Sequence, residues 1–257
     1  MSIPDTNTNR ADTTNSDLPA YMPTPTRWSV LEQAQQGSQA ALDEFFRIYW
    51  PPVYAYFRAK GLQEADAKDR TQGFFLRWLE SNTFASLDQN RGSFSRYLLT
   101  CLKHYHINEF IKGNRQRNRP AGGLVSWDEM VERDSARYEP AANQTPDMAF
   151  EIAGKRRLIM AVCQKVREAG SGGAVAHKAS CDLFYRRYVE PMLDDGPQPS
   201  LEVLAQEFGY TVKQVRGRLD SLREEFRHEL VAELAPEGIS RLEAEQRARE
   251  ILMPYDG

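Results

Sequence analysis

The sequence predicts an all-α protein with two helical domains joined by a flexible linker. Apolar residues recur at spacings of three and four along much of the chain, which is typical of amphipathic helices. In the first half, no alternating strand pattern of useful length interrupts them. The periodicity disappears between Gly113 and about Pro146, where glycine, proline, asparagine and charge predominate. Because such a stretch is unusual inside one compact domain, we place the linker there.

The bulk composition is that of a soluble globular protein. Its 257 residues suffice for one or two domains, with 41% hydrophobic and 27% charged residues. The formal net charge of −3 excludes a wholly basic nucleic-acid binder, so any DNA contact must use local basic patches. No apolar run is long enough to cross a membrane, and the first residues lack the order of a signal peptide. We therefore expect a cytoplasmic protein without membrane association.

No pattern in the sequence is typical of catalysis, metal binding or cofactor binding. The cysteines Cys101, Cys163 and Cys181 are scattered and show no CxxC spacing, which favours reduced core thiols. On a helix, His104 and His106 point about 200° apart, so they cannot chelate one metal. A phosphate loop and a nucleophile elbow are both absent from the sequence. We expect no enzyme activity, no metal and no cofactor.

The first domain is predicted over residues 26–113, after a disordered tail at residues 1–25 that is poor in apolar side chains. Thr26 and Ser38 are predicted helix caps, and Gly37 and Gly61 are predicted helix ends. The pair Pro51 and Pro52 predicts a break between two helices. Two longer helices follow, over residues 64–80 and from Ser93 to Lys112.

The second of these longer helices is basic and aromatic. Between Ser93 and Arg119 the only acid is Glu109, whereas the cations are Arg96, Lys103, Lys112, Arg115, Arg117 and Arg119. The interleaved aromatic residues are Phe94, Tyr97, Tyr105 and Phe110. Rings can stack on unpaired bases while cations hold phosphates, so this pattern fits single-stranded nucleic acid. The alternative is a central helix with core aromatics and cations at its rim.

The second domain is predicted over residues 147–234, with a helix-turn-helix at about residues 200–228. Its first helix carries Leu201, Leu204, Ala205 and Phe208, after which Gly209 ends the helix and Thr211 caps the next. The second helix carries a stripe of Val215, Leu219, Leu222 and Phe226. Polar donors point away from this stripe, as at the start of a recognition helix: Lys213, Gln214, Arg216 and Arg218. The alternative is a helix pair without a nucleic-acid role.

Residues 235–257 are predicted to form an acidic helical tail. One hypothesis is that this tail folds back on the basic helix and inhibits it; the other is a solvated end helix.

These features, in this order, resemble the extracytoplasmic-function sigma factors of bacterial RNA polymerase. The segment DAKDRTQGFFLRWL is similar to the family's region 2 segment that docks on polymerase, and Asp69 and Gln72 match its Asp-x-x-Gln core. TRWSVLEQA, AGGLVSWDE and EPAANQTPDMAF are similar to a subgroup with a long inter-domain linker. The resemblance implies region 2 over residues 26–113, a flexible linker over 114–146 and region 4 over 147–234.

The resemblance implies a protein that directs transcription initiation. Core RNA polymerase would contact Asp66, Asp69 and Gln72. Region 2 would recognise and melt the minus ten element through Phe94, Arg96, Tyr97, Lys103, His104, Asn108 and Lys112. Region 4 would bind the minus thirty-five element through Thr211, Lys213, Gln214, Arg216 and Arg218. The implied partners are core RNA polymerase and promoter DNA, both single-stranded and duplex; an anti-sigma factor stays open as a further partner.

Two residues depart from the family's pattern. Arg70 stands where an aliphatic residue is usual, and Gly73 stands where an acid is usual. We expect both to weaken polymerase docking or to change its specificity.

Two other functions stay open. The alternative to a sigma factor is a helix-turn-helix DNA-binding regulator that does not bind polymerase. A third possible function is a helical protein-interaction module without a DNA role.

Overall fold

The computed structural model describes residues 27–81, 87, 94–113, 138–169, 175–191, 196–235 and 240–252. These ranges contain helices and no strand, which confirms the predicted all-α class. The predicted tail at residues 1–25 and most of the predicted linker, residues 114–137, lie outside them. None of the described helices is long and apolar enough to cross a membrane.

Four described helices lie before the predicted linker, and five follow it. The first four are α1 (Trp28–Gln35), α2 (Gln39–Ala59), α3 (Glu64–Glu80) and α4 (Phe94–Gly113). The others are α5 (Pro146–Ala169), α6 (Val175–Phe184), α7 (Leu201–Phe208), α8 (Val212–Leu234) and α9 (Arg241–Leu252). Helix α6 continues into a π-helical turn at Tyr185–Val189.

The helix ends follow the predicted capping residues. Ser38 caps α2, because its Oγ accepts a hydrogen bond from the Ala41 amide at 3.3 Å. Gly37 and Gly61 have φ angles of 88° and 85°, the left-handed conformation that L side chains rarely adopt. The predicted cap Thr26 lies outside the described residues.

Helix α2 continues through the two prolines, so the predicted break there is wrong. Pro51 and Pro52 both lie inside the helix, and both are buried. Each proline removes a backbone donor and costs about 3 kcal/mol in a helix interior. The residues on all sides of the prolines are buried, including Trp50 and Val53, and burying each such side chain contributes about 1.5–3 kcal/mol. Tertiary packing therefore offsets the local cost.

The first hydrophobic core lies between the N-terminal helices. It is rich in aromatic residues, and Phe45 is its centre: its ring stacks on Trp78 at 5.4 Å and meets Phe75 and Phe94 edge-on at about 6 Å. Helix α2 packs against α1 and α3. Helix α2 is therefore the buried axis on which α3 and α4 are positioned.

The second hydrophobic core lies between the C-terminal helices. Helix α8 packs against α5, α6, α7 and α9. The tail helix α9 inserts Ala244, Ala248 and Leu252 into this core. In the described part of the chain, the tail thus packs on α8, whereas the hypothesis of tail-mediated inhibition has it on the basic helix α4.

One helix belongs to both cores. The first turns of α5 contribute Ala149, Phe150 and Ala153 to the first core, and its later turns contribute residues from Leu158 to Val166 to the second. Helix α5 also packs against α2. The two cores thus share one continuous helix, and the division into two domains at the linker stays a prediction.

Candidate nucleic-acid interface

Helices α7 and α8 form a pair joined by a tight turn. Gly209 ends α7 with φ 70°, the left-handed conformation expected at a helix C-terminus. Thr211 then caps α8: its Oγ1 accepts from the Gln214 amide at 3.3 Å, while the Gln214 Oε1 accepts from the Thr211 amide at 2.9 Å. This reciprocal pair is a capping box. The predicted helix end and the predicted cap are both confirmed.

The apolar stripe of α8 faces inward, as predicted. Val215, Leu219, Leu222 and Phe226 are each at most 2% exposed. The opposite face of the first turns carries Lys213, Gln214, Arg216 and Gly217, all of them exposed. The start of α8 therefore presents cations to solvent on a face that the core does not use.

Three of the five predicted region 4 residues also make contacts within the chain. Thr211 and Gln214 form the capping box. Arg218 donates to the Ser180 hydroxyl at 2.8 Å, and its guanidinium lies 4.6 Å from the centre of the Tyr210 ring. Arg218 thereby ties α8 to α6 and to the turn. Lys213 and Arg216 are the two exposed cations of the predicted set.

The predicted region 2 residues divide into exposed and buried groups. On α4 the exposed side chains are Arg96, Lys103, His104 and Asn108. Phe94 is 1% exposed, and its ring packs on Trp28, Tyr49 and Trp78 in the first core. Because the ring has no exposed face for a base, we remove Phe94 from the candidate DNA surface. Tyr97 is partly buried beside it, and the Lys112 side chain lies outside the described residues.

Two carboxylates of α5 face the cations of α4. The Lys103 Nζ lies 2.5 Å from the Asp147 Oδ2. Glu151, one turn further along α5, is within electrostatic range of Arg96 and Lys103. Burial raises the pKa of the Glu151 carboxyl, as does the Asp147 charge, whereas Lys155 and the α4 cations lower it. Sequence reasoning missed this contact because Lys103 and Asp147 lie 44 residues apart, in different predicted domains.

The candidate polymerase-binding residues lie on the exposed face of α3. Asp66, Asp69 and Gln72 are all exposed. Phe74, Phe75 and Trp78 point into the first core and are at most 5% exposed. Helix α3 therefore exposes the three polar side chains to solvent, while its aromatic residues fix it on α2.

Arg70 and Gly73 both contact α4. The Arg70 guanidinium lies 3.3 Å from the Glu109 carboxylate, which also pairs with Arg77 at 3.4 Å. A Cβ added at Gly73 would lie 2.9 Å from the Tyr105 hydroxyl. Burial and the Glu109 charge raise the pKa of that hydroxyl. A residue without a side chain at position 73 thus lets the Tyr105 hydroxyl approach α3.

His106 lies at the other edge of α4. Its ring is 6.3 Å from the Tyr56 ring and 6.2 Å from the Phe57 ring. Burial lowers the pKa of the imidazole, and the charges of Lys60 and Arg70 lower it further.

Within the described residues, no group of three or more His, Cys, Asp or Glu side chains could hold a metal ion.

Comparison with known proteins identified no relative. No protein-family model, curated protein or solved structure matches the chain significantly.

Proposed function

We propose that the protein is a sigma factor that binds core RNA polymerase and directs it to promoters. The observation that carries this proposal is the α7–α8 pair, in which a buried apolar stripe fixes α8 while Lys213 and Arg216 stand exposed on its first turns. Donors at this position of a helix-turn-helix reach base edges and phosphates in the major groove. Region 4 would thus bind the minus thirty-five duplex.

The three exposed polar side chains on α3 support the proposed binding to polymerase. The cations on α4 support the proposed binding to the minus ten element. Asp66, Asp69 and Gln72 would dock on polymerase, as the resemblance implies. Arg96, Lys103, His104, Asn108 and Lys112 would hold melted DNA, with Tyr97 as the adjacent ring. The protein would contribute recognition and no chemistry of its own.

A pull-down against core RNA polymerase tests this function. The wild-type chain is compared with Asp69→Ala/Gln72→Ala, which truncates two exposed side chains. The matched control is Gln39→Ala/Asp43→Ala, which removes the same two residue types from α2, where they bond each other at 3.1 Å. We expect the wild type and the control to retain polymerase and the α3 variant to lose it.

The opposite result would support the alternative function. If the wild-type chain retains no polymerase at moderate salt but binds duplex genomic fragments alone, it is a helix-turn-helix regulator independent of polymerase. Binding of neither would contradict both functions and favour a protein-interaction module.

A further inference from the structure

A cavity of about 710 Å³ lies where the two hydrophobic cores meet. Its walls come from α2, α5, α6 with the π-helical turn, α7 and α8. The volume falls within the range of about 300–1,000 Å³ that is typical of small-molecule sites. None of the residues assigned above to polymerase or to DNA is among the described residues that line it. The proposed function therefore gives the cavity no role.

Aromatic rings form much of the apolar wall of this cavity. They are contributed by both halves of the chain: Trp50, Tyr138, Phe184, Tyr185, Phe208 and Phe226. Flat rings offer large apolar surfaces against which another ring can stack or pack edge-on. The wall therefore favours a ligand with a flat, apolar body.

The cations of the cavity are unevenly compensated. Arg167 pairs with Asp182 at 2.5 Å, and Arg186 pairs with Glu190 at 2.7 Å. On the side of the cavity that α2 forms, however, a single carboxylate is shared by three guanidinium groups. Glu44 pairs with Arg27 at 3.2 Å, with Arg47 at 2.6 Å and with Arg157 at 3.6 Å.

Two of the three cations that share Glu44 line the cavity, at different depths. The Arg47 side chain is 62% exposed at the rim, whereas that of Arg157 is only 11% exposed. Burial lowers the pKa of the Arg157 guanidinium, although Glu44 and Glu233 oppose the effect. Glu233 is itself paired with Lys165. A buried cation with a shared counter-charge is costly, and an entering anion would complete its compensation.

An irregular stretch of backbone forms part of the same wall. Tyr185 and Arg186 line the cavity and belong to the π-helical turn at Tyr185–Val189. Single π turns within helices are rare and are frequently found at functional sites. The turn is therefore an independent feature that coincides with the cavity.

We propose that this cavity binds a small amphipathic carboxylate with a flat aromatic body. Its carboxylate would pair with Arg47 and Arg157, and its body would lie among the aromatic side chains. Such a ligand would contact both cores at once. The proposal goes beyond promoter recognition and does not depend on it, so neither polymerase nor DNA is needed for its test.

Fluorescence titration of the full chain with pyrenebutyrate tests the site, and pyrenebutanol serves as the neutral analogue. We expect the wild type to bind the carboxylate about tenfold more tightly than the alcohol, because only the carboxylate can form charge-assisted hydrogen bonds with Arg47 and Arg157. Arg157→Met keeps the apolar stem and should remove this preference. The control Arg227→Met, whose guanidinium pairs with the exposed Glu224 away from the cavity, should preserve it.

A cavity-filling variant shows where the probe binds. Ala161→Phe adds a ring at a residue that lines the cavity, and it should abolish binding of both probes while circular dichroism reports an intact fold. Absence of saturable binding to the wild type would overturn the proposal. So would equal affinity for the two probes, or binding that Ala161→Phe leaves unchanged.

Discussion

Arg70 and Gly73, which depart from the pattern of the family that the sequence resembles, both have a local structural role. Both face α4, where Arg70 shares Glu109 with Arg77 and Gly73 leaves room for the Tyr105 hydroxyl. The candidate docking residues Asp66, Asp69 and Gln72 stay exposed beside them. The contact between α3 and α4 therefore accounts for both departures without reference to polymerase, and their effect on docking stays a prediction.

Gly217 is a second glycine inside a helix, and its surroundings are open. A Cβ at this position meets no atom within 4 Å, and the backbone is helical. We expect Gly217→Ala to stabilise the protein by about 1 kcal/mol, because alanine has the higher helix propensity. Urea unfolding followed by circular dichroism measures the change.

Gly209→Ala is the matched control, because its Cβ also meets open space but its φ is 70°. Here the substitution should destabilise the protein by about 1 kcal/mol, since L residues are strained in the left-handed region. A loss of stability in both variants would contradict the interpretation of Gly217. Reduced DNA binding by a stabilised Gly217→Ala variant would indicate that this glycine admits a DNA backbone.

At the scale of the helices, the sequence predicts ends and inward faces well. Gly37, Ser38, Gly209 and Thr211 act through φ angles and hydrogen bonds to residues within about one helical turn, and such local effects can be read from the chain. The continuity of α2 at Pro51 and Pro52 could not be, because burial by distant residues outweighs a local preference. The place of Phe94 could not be read from the sequence either, because an aromatic residue beside cations suits a stacked base as well as a packed core. Only the fold shows that this ring is buried.

The start of α5 should compete with nucleic acid for α4. Asp147 holds Lys103 at 2.5 Å, and Glu151 lies within range of Arg96. We expect Asp147→Asn to tighten binding of a single-stranded oligonucleotide severalfold at low salt, because one more cation is available to a phosphate. Fluorescence anisotropy over a salt series measures both the affinity and the salt slope, which should steepen by up to about one.

The control for this experiment is Glu168→Gln at the other end of α5, where the carboxylate bonds Gln164. It changes the net charge equally and lies in the last turn of the helix. An equal gain in oligonucleotide affinity in the two variants would show that only the net charge matters. The Lys103–Asp147 contact would then not compete with nucleic acid for α4.

At the scale of the whole molecule, α5 should make the two cores unfold together. The three tryptophans among the described residues, Trp28, Trp50 and Trp78, lie in or against the first core, whereas Phe226 lies in the second core and is 2% exposed. Phe226→Ala should cost about 3–5 kcal/mol. We expect it to lower the thermal midpoint reported by tryptophan fluorescence as much as the midpoint reported by circular dichroism.

Arg227, the exposed residue next to Phe226, provides the control. We expect Arg227→Ala to leave both thermal midpoints within about a degree of the wild-type values. A tryptophan transition that Phe226→Ala does not shift would mean that the first core unfolds independently. The chain would then behave as two domains, as the sequence predicts.

The sharing of α5 also determines where the molecule can bend. Any rotation of one core relative to the other must distort this helix between Ala153, the last residue in the first core, and Leu158, the first in the second. Gly154 lies in that interval, and glycine has the lowest helix propensity of any residue except proline. If the protein holds two separated DNA elements at once, as proposed, a change in the angle between the cores would fall on this glycine within a helix rather than on the loop before the helix.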